Sequence, residues 1–279
     1  INNLIPKMVE ALNANPILSN RLFQLEYLNT LSGDMLVTLI YHRQLDDEWV
    51  AAATALKNEF GIHIVGRARK MRLLLDQDYV TEELNVDGKL LKYKQIEASF
   101  TQPNAKISEK MLSWARSCTQ NSQDHDLLEL YCGNGNFSLA MADLFRRVFA
   151  TEISKTSVYA ANAGKEMNNI TNVEFARVSA EEFTEHMNGT HLRRRLKDMD
   201  LESANFGTVL VDPPRAGLDE ESCKMISKYA RIVYVSCNPD TLELNLKQLS
   251  ETHTIERFAL FDQFPYTHHV ECGAYLVAK

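Results

Sequence analysis

The stretch Leu127-Leu128-Glu129-Leu130-Tyr131-Cys132-Gly133-Asn134-Gly135-Asn136-Phe137-Ser138 decides how the chain reads. An apolar run stops at a turn with two glycines and a helical pattern follows at once, so the segment runs strand, tight turn, helix. In doubly wound sheets a ligand binds beyond the carboxyl ends of the strands, and a glycine such as Gly133 lets backbone approach it closely. A dinucleotide fingerprint would place a third glycine where Ser138 stands, which disfavours a pyrophosphate. Glu152 lies 17 residues after Gly135, at the end of the next strand. A carboxylate there accepts both hydroxyl protons of a free ribose, so S-adenosylmethionine is the natural ligand. An ordinary βα turn with an exposed glutamate is the plainer alternative.

Outward from this loop the rhythm alternates. Helix 104–118 precedes strand 126–131, and helix 138–145, strand 148–151, helix 155–168, strand 173–176 and helix 180–187 follow. After a charged connection come strand 208–211, helix 219–229, strand 232–236 and helix 240–249. Strands 253–261 and 273–278 close the chain with no helix between them. Such alternation predicts parallel βαβ units in a doubly wound sheet with an antiparallel end. Residues 1–98 read instead as a smaller α/β domain, and 99–279 as the domain that carries chemistry. The small domain has a hairpin of strands 23–28 and 35–41, a helix 46–60 stopped by Gly61, and strands 62–68, 71–75 and 90–96.

The 279 residues carry 30 Lys+Arg against 37 Asp+Glu, a net charge of −7, which excludes a nucleic-acid binder held by bulk positive charge. Most of the excess acid falls after residue 99, while Arg67, Arg69, Lys70 and Arg72 form a basic stripe in the small domain, with Lys89, Lys92 and Lys94 near it in sequence. Strand alternation predicts Arg67 and Arg69 on one face and Lys70 and Arg72 on the other. No apolar run is long enough to span a bilayer, and no signal pattern opens the chain. It starts Ile1-Asn2-Asn3 without Met, as a piece of a longer protein would. The five cysteines are odd in number, scattered and without a C-x-x-C pair, which argues against a disulfide scaffold or a cysteine-rich metal site and suits the reducing cytoplasm.

Three further segments fall at strand ends of the same sheet. Val211-Asp212-Pro213-Pro214-Arg215 ends a strand in a rigid acidic turn, because proline cannot donate to the ladder. Val235-Ser236-Cys237-Asn238-Pro239 stops another strand in the same way. Asp212 and Cys237 are 25 residues apart, one helix plus one strand, which brings them to one edge of neighbouring or near-neighbouring strands. The third segment, Asp262-Gln263-Phe264-Pro265-Tyr266-Thr267-His268-His269-Val270-Glu271-Cys272, is a polar and aromatic loop. A cysteine at a strand end is more often a small core residue than a nucleophile. Its company changes that reading. Carbon-5 of uracil is too poor a nucleophile to attack a sulfonium methyl, but a thiolate adding to carbon-6 makes the ring an enolate that can. A base must then take the carbon-5 proton. Cys237 and Glu271 suit these roles.

Taken together, the cofactor loop, Asp-Pro-Pro-Arg, Ser-Cys-Asn-Pro and the 262–273 segment resemble the bacterial tRNA (uracil-5-)-methyltransferase family. The likeness runs from Phe23 through Ser99-Phe100-Thr101-Gln102-Pro103-Asn104 to the last strand. It implies a Rossmann-like class I methyltransferase domain preceded by a smaller RNA-facing α/β domain, completed in the family by a segment before residue 1. It implies S-adenosylmethionine as cofactor, held by Gln102, Tyr131, Gly133, Asn136, Glu152 and Asp212, and S-adenosylhomocysteine as product. Cys237 would be the nucleophile and Glu271 the base. Phe100, Gln102 and Arg215 would lie at the target base, uridine-54 in the tRNA T-loop, Phe100 by stacking and Arg215 by hydrogen bonding. A cytoplasmic monomer is expected, with tRNA its partner and no protein or membrane partner evident. Ribosomal-RNA uracil-5 enzymes share the Cys and Glu, but many carry an amino-terminal barrel, with or without an iron–sulfur cluster, and residues 1–98 have neither pattern. RNA cytosine-5 enzymes usually place a second cysteine in the Asp/Pro motif, which is absent here. From another class, an RNA-binding or tRNA-folding module fits the same chain.

Other candidates have blander readings. His268, His269, Glu271 and Cys272 alternate faces of an extended segment, so a tetrahedral metal site is not expected. Arg193-Arg194-Arg195-Leu196-Lys197 could meet phosphate, yet Asp198, Asp200 and Glu202 follow at once, so a solvated mixed-charge loop is as good a reading. Cys132 reads as a packing residue near the cofactor, and Cys118 and Cys223 as helix residues.

Overall fold

A computed structural model describes residues 1–197 and 199–279; Asp198 of the charged connection lies outside them. The chain forms two compact units, one of Ile1–Glu83 with Lys94–Ser99 and one of Leu84–Tyr93 with Phe100–Lys279.

In the first unit, helices α1 (Leu4–Ala14) and α2 (Pro16–Ser19) lead into strands β1 (Leu22–Asn29) and β2 (Met35–Tyr41). Helix α3 (Asp47–Phe60) starts because the Asp46 carboxylate accepts from the Trp49 amide, and stops because Gly61 takes φ 62°. It carries the chain over to β3 (His63–Ala68), parallel to β2, and a hairpin returns it as β4 (Met71–Leu74), giving the sheet order β1-β2-β3-β4. Trp49 lies fully buried on this sheet, and a Cβ at Gly66 would collide with its indole. The hairpin corrects the predicted two-faced basic stripe. Arg67 and Arg72 are paired residues on adjacent strands and so share a face. Both donate to the buried Glu97 carboxylate, at 2.6 and 3.0 Å, with the Thr38 hydroxyl 3.2 Å away on its other oxygen. Arg69 and Lys70 fall in the turn between the strands.

Strands β5 (Tyr79–Val86) and β6 (Lys89–Ile96) form a two-stranded ribbon turning at Asp87-Gly88, both at positive φ as a tight hairpin demands. Its tip, Leu84–Tyr93, belongs to the second unit. There α4 (Ala105–Cys118) precedes β7 (Ser122–Leu130), α5 (Asn136–Met141), β8 (Phe145–Thr151), α6 (Lys155–Met167), β9 (Val173–Ala176) and α7 (Ala180–Met187). Then come β10 (Phe206–Val211), α8 (Glu220–Ile226), β11 (Arg231–Ser236), α9 (Pro239–Leu249), β12 (His253–Phe261) and β13 (Glu271–Ala278). The helix expected over 138–145 begins earlier, because Gly135 caps it at φ 80°, and gives way to a 3₁₀ turn before Phe145 opens β8.

The seven strands run β12-β13-β11-β10-β7-β8-β9. From β9 to β11 the ladder is parallel, and β13 and β12 add on antiparallel. The chain winds from β7 outward through β8 and β9, then crosses to β10 on the other side of β7. That reversal makes the β7/β10 boundary a topological switch point, where the loops after the two strands part and leave a crevice. Two apolar layers cover the sheet faces, one with Leu128, Phe149, Phe183 and Tyr234, the other with Leu112, Phe137, Val148 and Val235.

Candidate active site

The crevice is built from the carboxyl ends of β7, β8, β10 and β11 and the start of β13, which runs the other way and so begins at the same edge. After β7, Tyr131 and Gly133 take φ 61° and 56°. The turn closes when the Gly135 amide donates to the Cys132 carbonyl at 2.9 Å. Space stands open where a Cβ of Gly133 would be, whereas one at Gly135 would press on the Phe175 ring at 3.0 Å. One glycine therefore clears room for a ligand, and the other lets the helix pack. Glu152, just after β8, accepts from the Gly133 amide at 3.0 Å with one oxygen and from the Ser154 amide at 2.7 Å with the other. It keeps lone pairs on both oxygens for a ribose diol. Asn136 is held by its side-chain amide on the Ser108 hydroxyl and by the Tyr93 hydroxyl on its carbonyl. Tyr131 packs against the apolar layer beneath β10 and α8. The open cradle, the half-used carboxylate and the fixed amide fit an adenosine group with free ribose hydroxyls.

Asp212 follows β10 and Cys237 follows β11. Asn238 ties the two turns together, its side-chain amide donating to the Arg215 carbonyl at 2.9 Å while its own oxygen caps α9. The hydroxyl of Thr241 donates to the same carbonyl. Across the antiparallel β11–β13 pair, Ser236 stands opposite Cys272. One residue further toward the edge, Cys237 and Glu271 are neighbours. Glu271 is 3% exposed, and its Oε2 is buried without a hydrogen-bond partner among the described residues. Burial lifts its carboxyl to about 7. Burial, then the charges of Glu271 and Asp212, raise the Cys237 thiol, against which Arg215 pulls down. Asp212 is raised well above the carboxylate range by burial and by Glu271. The Cys237 thiol and the Asp212 and Glu271 carboxyls thus feel each other across one crevice, and perturbed groups converging in a cleft are the usual mark of a reaction site.

Beside the connection that leads from β12 to Glu271, Gln102 accepts from the buried Gln263 side chain at 2.8 Å, and Phe100 stands 69% exposed two residues earlier. Arg215 is exposed and its charge reaches both Cys237 and His269. Among the described residues no group of three His, Cys, Asp or Glu is placed to hold a metal ion. Sequence reasoning missed Glu129, Asn238 and Gln263. Asn238 and Gln263 lay inside quoted motifs, but their roles depend on partners distant in sequence. Glu129 sits in the opening stretch itself, buried under the loop with the Ser138 hydroxyl on one oxygen.

Strand order, antiparallel end and crevice define a class I methyltransferase fold. The family model for tRNA (uracil-5-)-methyltransferases matches residues 1–279, and the chain belongs to that family. It is 57% identical over 286 residues to a tRNA/tmRNA (uracil-C(5))-methyltransferase of Vibrio vulnificus, covering 100% of this chain and 77% of the relative. A protein of the same name from Acinetobacter baylyi is 57% identical over 278 residues, covering 99% and 77%. Among solved structures, the Pyrococcus abyssi tRNA (uracil-54, C5)-methyltransferase in complex with S-adenosyl-L-homocysteine shares the fold, with a TM-score of 0.68 and 24% identity over 91% of this chain and 59% of that one.

Proposed function

We propose that this chain transfers a methyl group from S-adenosylmethionine to carbon-5 of uridine-54 in the tRNA T-loop, acting in the cytoplasm. The observation that carries the reading is Cys237 beside Glu271, one residue beyond the Ser236–Cys272 pair of β11 and β13, with the Glu271 Oε2 buried and without a hydrogen-bond partner among the described residues. A thiol and a carboxyl raised by burial have little use in a fold core, and together they meet the two demands of uracil C5 chemistry.

Gln102, Tyr131, Gly133, Asn136, Glu152 and Asp212 hold the cofactor, which when bound supplies an electrophilic methyl group. The target uridine is flipped out of its loop, at a cost of a few kcal/mol, onto Phe100, with Arg215 orienting it. Cys237, which is part-exposed, gives up its proton to solvent and its Sγ bonds carbon-6, pushing the ring's electron pair toward carbon-5 and the carbon-4 oxygen. Once carbon-5 is methylated, Glu271 takes the carbon-5 proton, the C5–C6 double bond reforms and Sγ leaves. Glu271 must be ionised for that step, so turnover rises as pH climbs through about 7.

A T-arm RNA with 5-fluorouridine at the target tests this directly. Fluorine cannot leave as a proton, so the Cys237 adduct is trapped and migrates slowly on a denaturing gel. Cys237→Ala abolishes both adduct and methylation while retaining RNA binding. Absence of the band with the unaltered protein, or methylation by Cys237→Ala, defeats the covalent route.

A further inference from the structure

We infer that Gln263 is a positioning residue that turns the Gln102 amide so that only its NH₂ faces the crevice, and that this orientation selects uracil over cytosine. The inference rests on the methylation reading above. Gln263 is 1% exposed, on the segment between β12 and β13. Its Oε1 faces the Asn104 backbone amide at 3.1 Å. A backbone N–H can only donate, so the atom facing it must be the carbonyl oxygen. Asn104 in turn caps α4 through its side chain, which holds that amide in place. Nε2 of Gln263 is therefore the donor and reaches the Gln102 side chain at 2.8 Å, with the Met111 sulfur 3.5 Å away. The Gln102 atom it meets has to accept, so it is Oε1. Polarity thus passes from a helix cap, through one buried amide, to a second amide at the crevice.

The consequence is chemical. Gln102 turns its NH₂ away from Gln263, and no described residue accepts from it. Uracil and cytosine differ at carbon-4, beside the methylated carbon: uracil carries a carbonyl acceptor, cytosine an amino donor. An NH₂ fixed as donor pairs with the first and opposes the second, and a donor left unpaired in a desolvated site costs more than a good hydrogen bond gains.

Gln263→Glu tests the orientation. A carboxylate still accepts from the Asn104 amide but cannot donate to Gln102, which must reverse and show its carbonyl to the crevice. Two T-arm stem-loops, with uridine or cytidine at the target, are compared by dissociation constant, alongside KM for S-adenosylmethionine and a thermal melt. The unaltered protein prefers uridine. Gln263→Glu shifts the ratio toward cytidine, on the order of tenfold. Gln263→Met, an apolar near-isostere that sits beside Met111, frees Gln102 to rotate and lowers the preference without reversing it, and it carries the test should the buried carboxylate prevent folding. In a Gln102→Ala background neither change has further effect on the ratio. An unchanged ratio in a folded Gln263 variant, or a change confined to KM for S-adenosylmethionine, overturns the inference. If the unaltered protein fails to methylate the uridine stem-loop, the methylation reading falls instead.

Discussion

The two ends of the seven-stranded sheet treat the same chemical group in opposite ways. Where β7 enters the parallel ladder, Asp126 is fully buried, and Arg146, Arg147 and the Asn205 amide all donate to it, with the Arg146 Nε at 2.8 Å. Burial alone would raise its carboxyl, but these donors more than offset that and hold it below the usual range. Three residues along the same strand, Glu129 is as deeply buried with Ser138 alone donating to it among the described residues, and burial pushes it up to about 8. At the crevice edge Asp212 and Glu271 are raised too, with no guanidinium paired to either among the described residues. Buried acids at the entry end are neutralised by folded-in arginines and serve stability. Those at the exit end are left without countercharge, which destabilises the free protein and keeps them ready for a proton or a ligand.

The sharpest way to break this contrast is to remove charge at the exit end without changing shape. Glu271→Gln retains the adduct and one methyl transfer but cannot take the carbon-5 proton. Multiple turnover falls on the order of a thousandfold, while a single-turnover assay still labels the RNA. If steady-state turnover is normal, Glu271 is not the base.

A second test uses pH. Glu129 and Glu271 have folded-state values of about 8 and about 7, above those of an unfolded glutamate. The folded state therefore binds protons more tightly, and its advantage is present below the unfolded value and lost as pH rises through 7 and 8. Denaturant unfolding of the ligand-free protein should show a few kcal/mol less stability at pH 8.5 than at pH 5, and Glu129→Gln should flatten the slope. A rise in stability over that range would contradict the assignment. At the entry end the sign reverses, for Asp126 stabilises when ionised. Asp126→Asn should cost about 2 kcal/mol near neutral pH and leave kcat within twofold.

How much of this was legible in the sequence follows the same division between backbone and environment. The segments β9, α7 and β12 were read to the residue, because Ser179 and Glu182 make a capping box and apolar runs end cleanly at the turns. Strand β5 was missed. Its inward positions include Glu82, which is buried and accepts the Leu31 amide, so a charge sits where alternation asks for an apolar residue. The motif residues proposed for the site stand out in the sequence because a strand end is a local signal. That the Glu271 Oε2 lacks a partner among the described residues, or that Gln263 sets the direction of Gln102, depends on what folding brings or fails to bring alongside, and no single segment encodes it.

The smallest effect expected concerns the tip of the loop between β12 and β13. Tyr266 is fully exposed and takes φ 65°, a conformation that costs a residue with a Cβ about 1 kcal/mol. The turn is nonetheless ordered, since the Thr267 amide and hydroxyl donate to the Phe264 carbonyl, and Gln263 and Glu271 bury its two ends. An aromatic ring held in solvent at the expense of backbone strain is placed for something outside the protein, and a nucleobase face is the partner the proposed substrate offers. Tyr266→Ala should raise the Kd for T-arm RNA by about fivefold to tenfold, toward the low end of base–aromatic stacking, and Tyr266→Phe should leave it unchanged. Tyr266→Gly separates the two contributions: it relieves the strain and raises Tm slightly while losing the same affinity as alanine. If glycine binds RNA as tightly as tyrosine, the ring is surface ornament, and the tolerance of unpaid cost at the exit end stops at the buried acids.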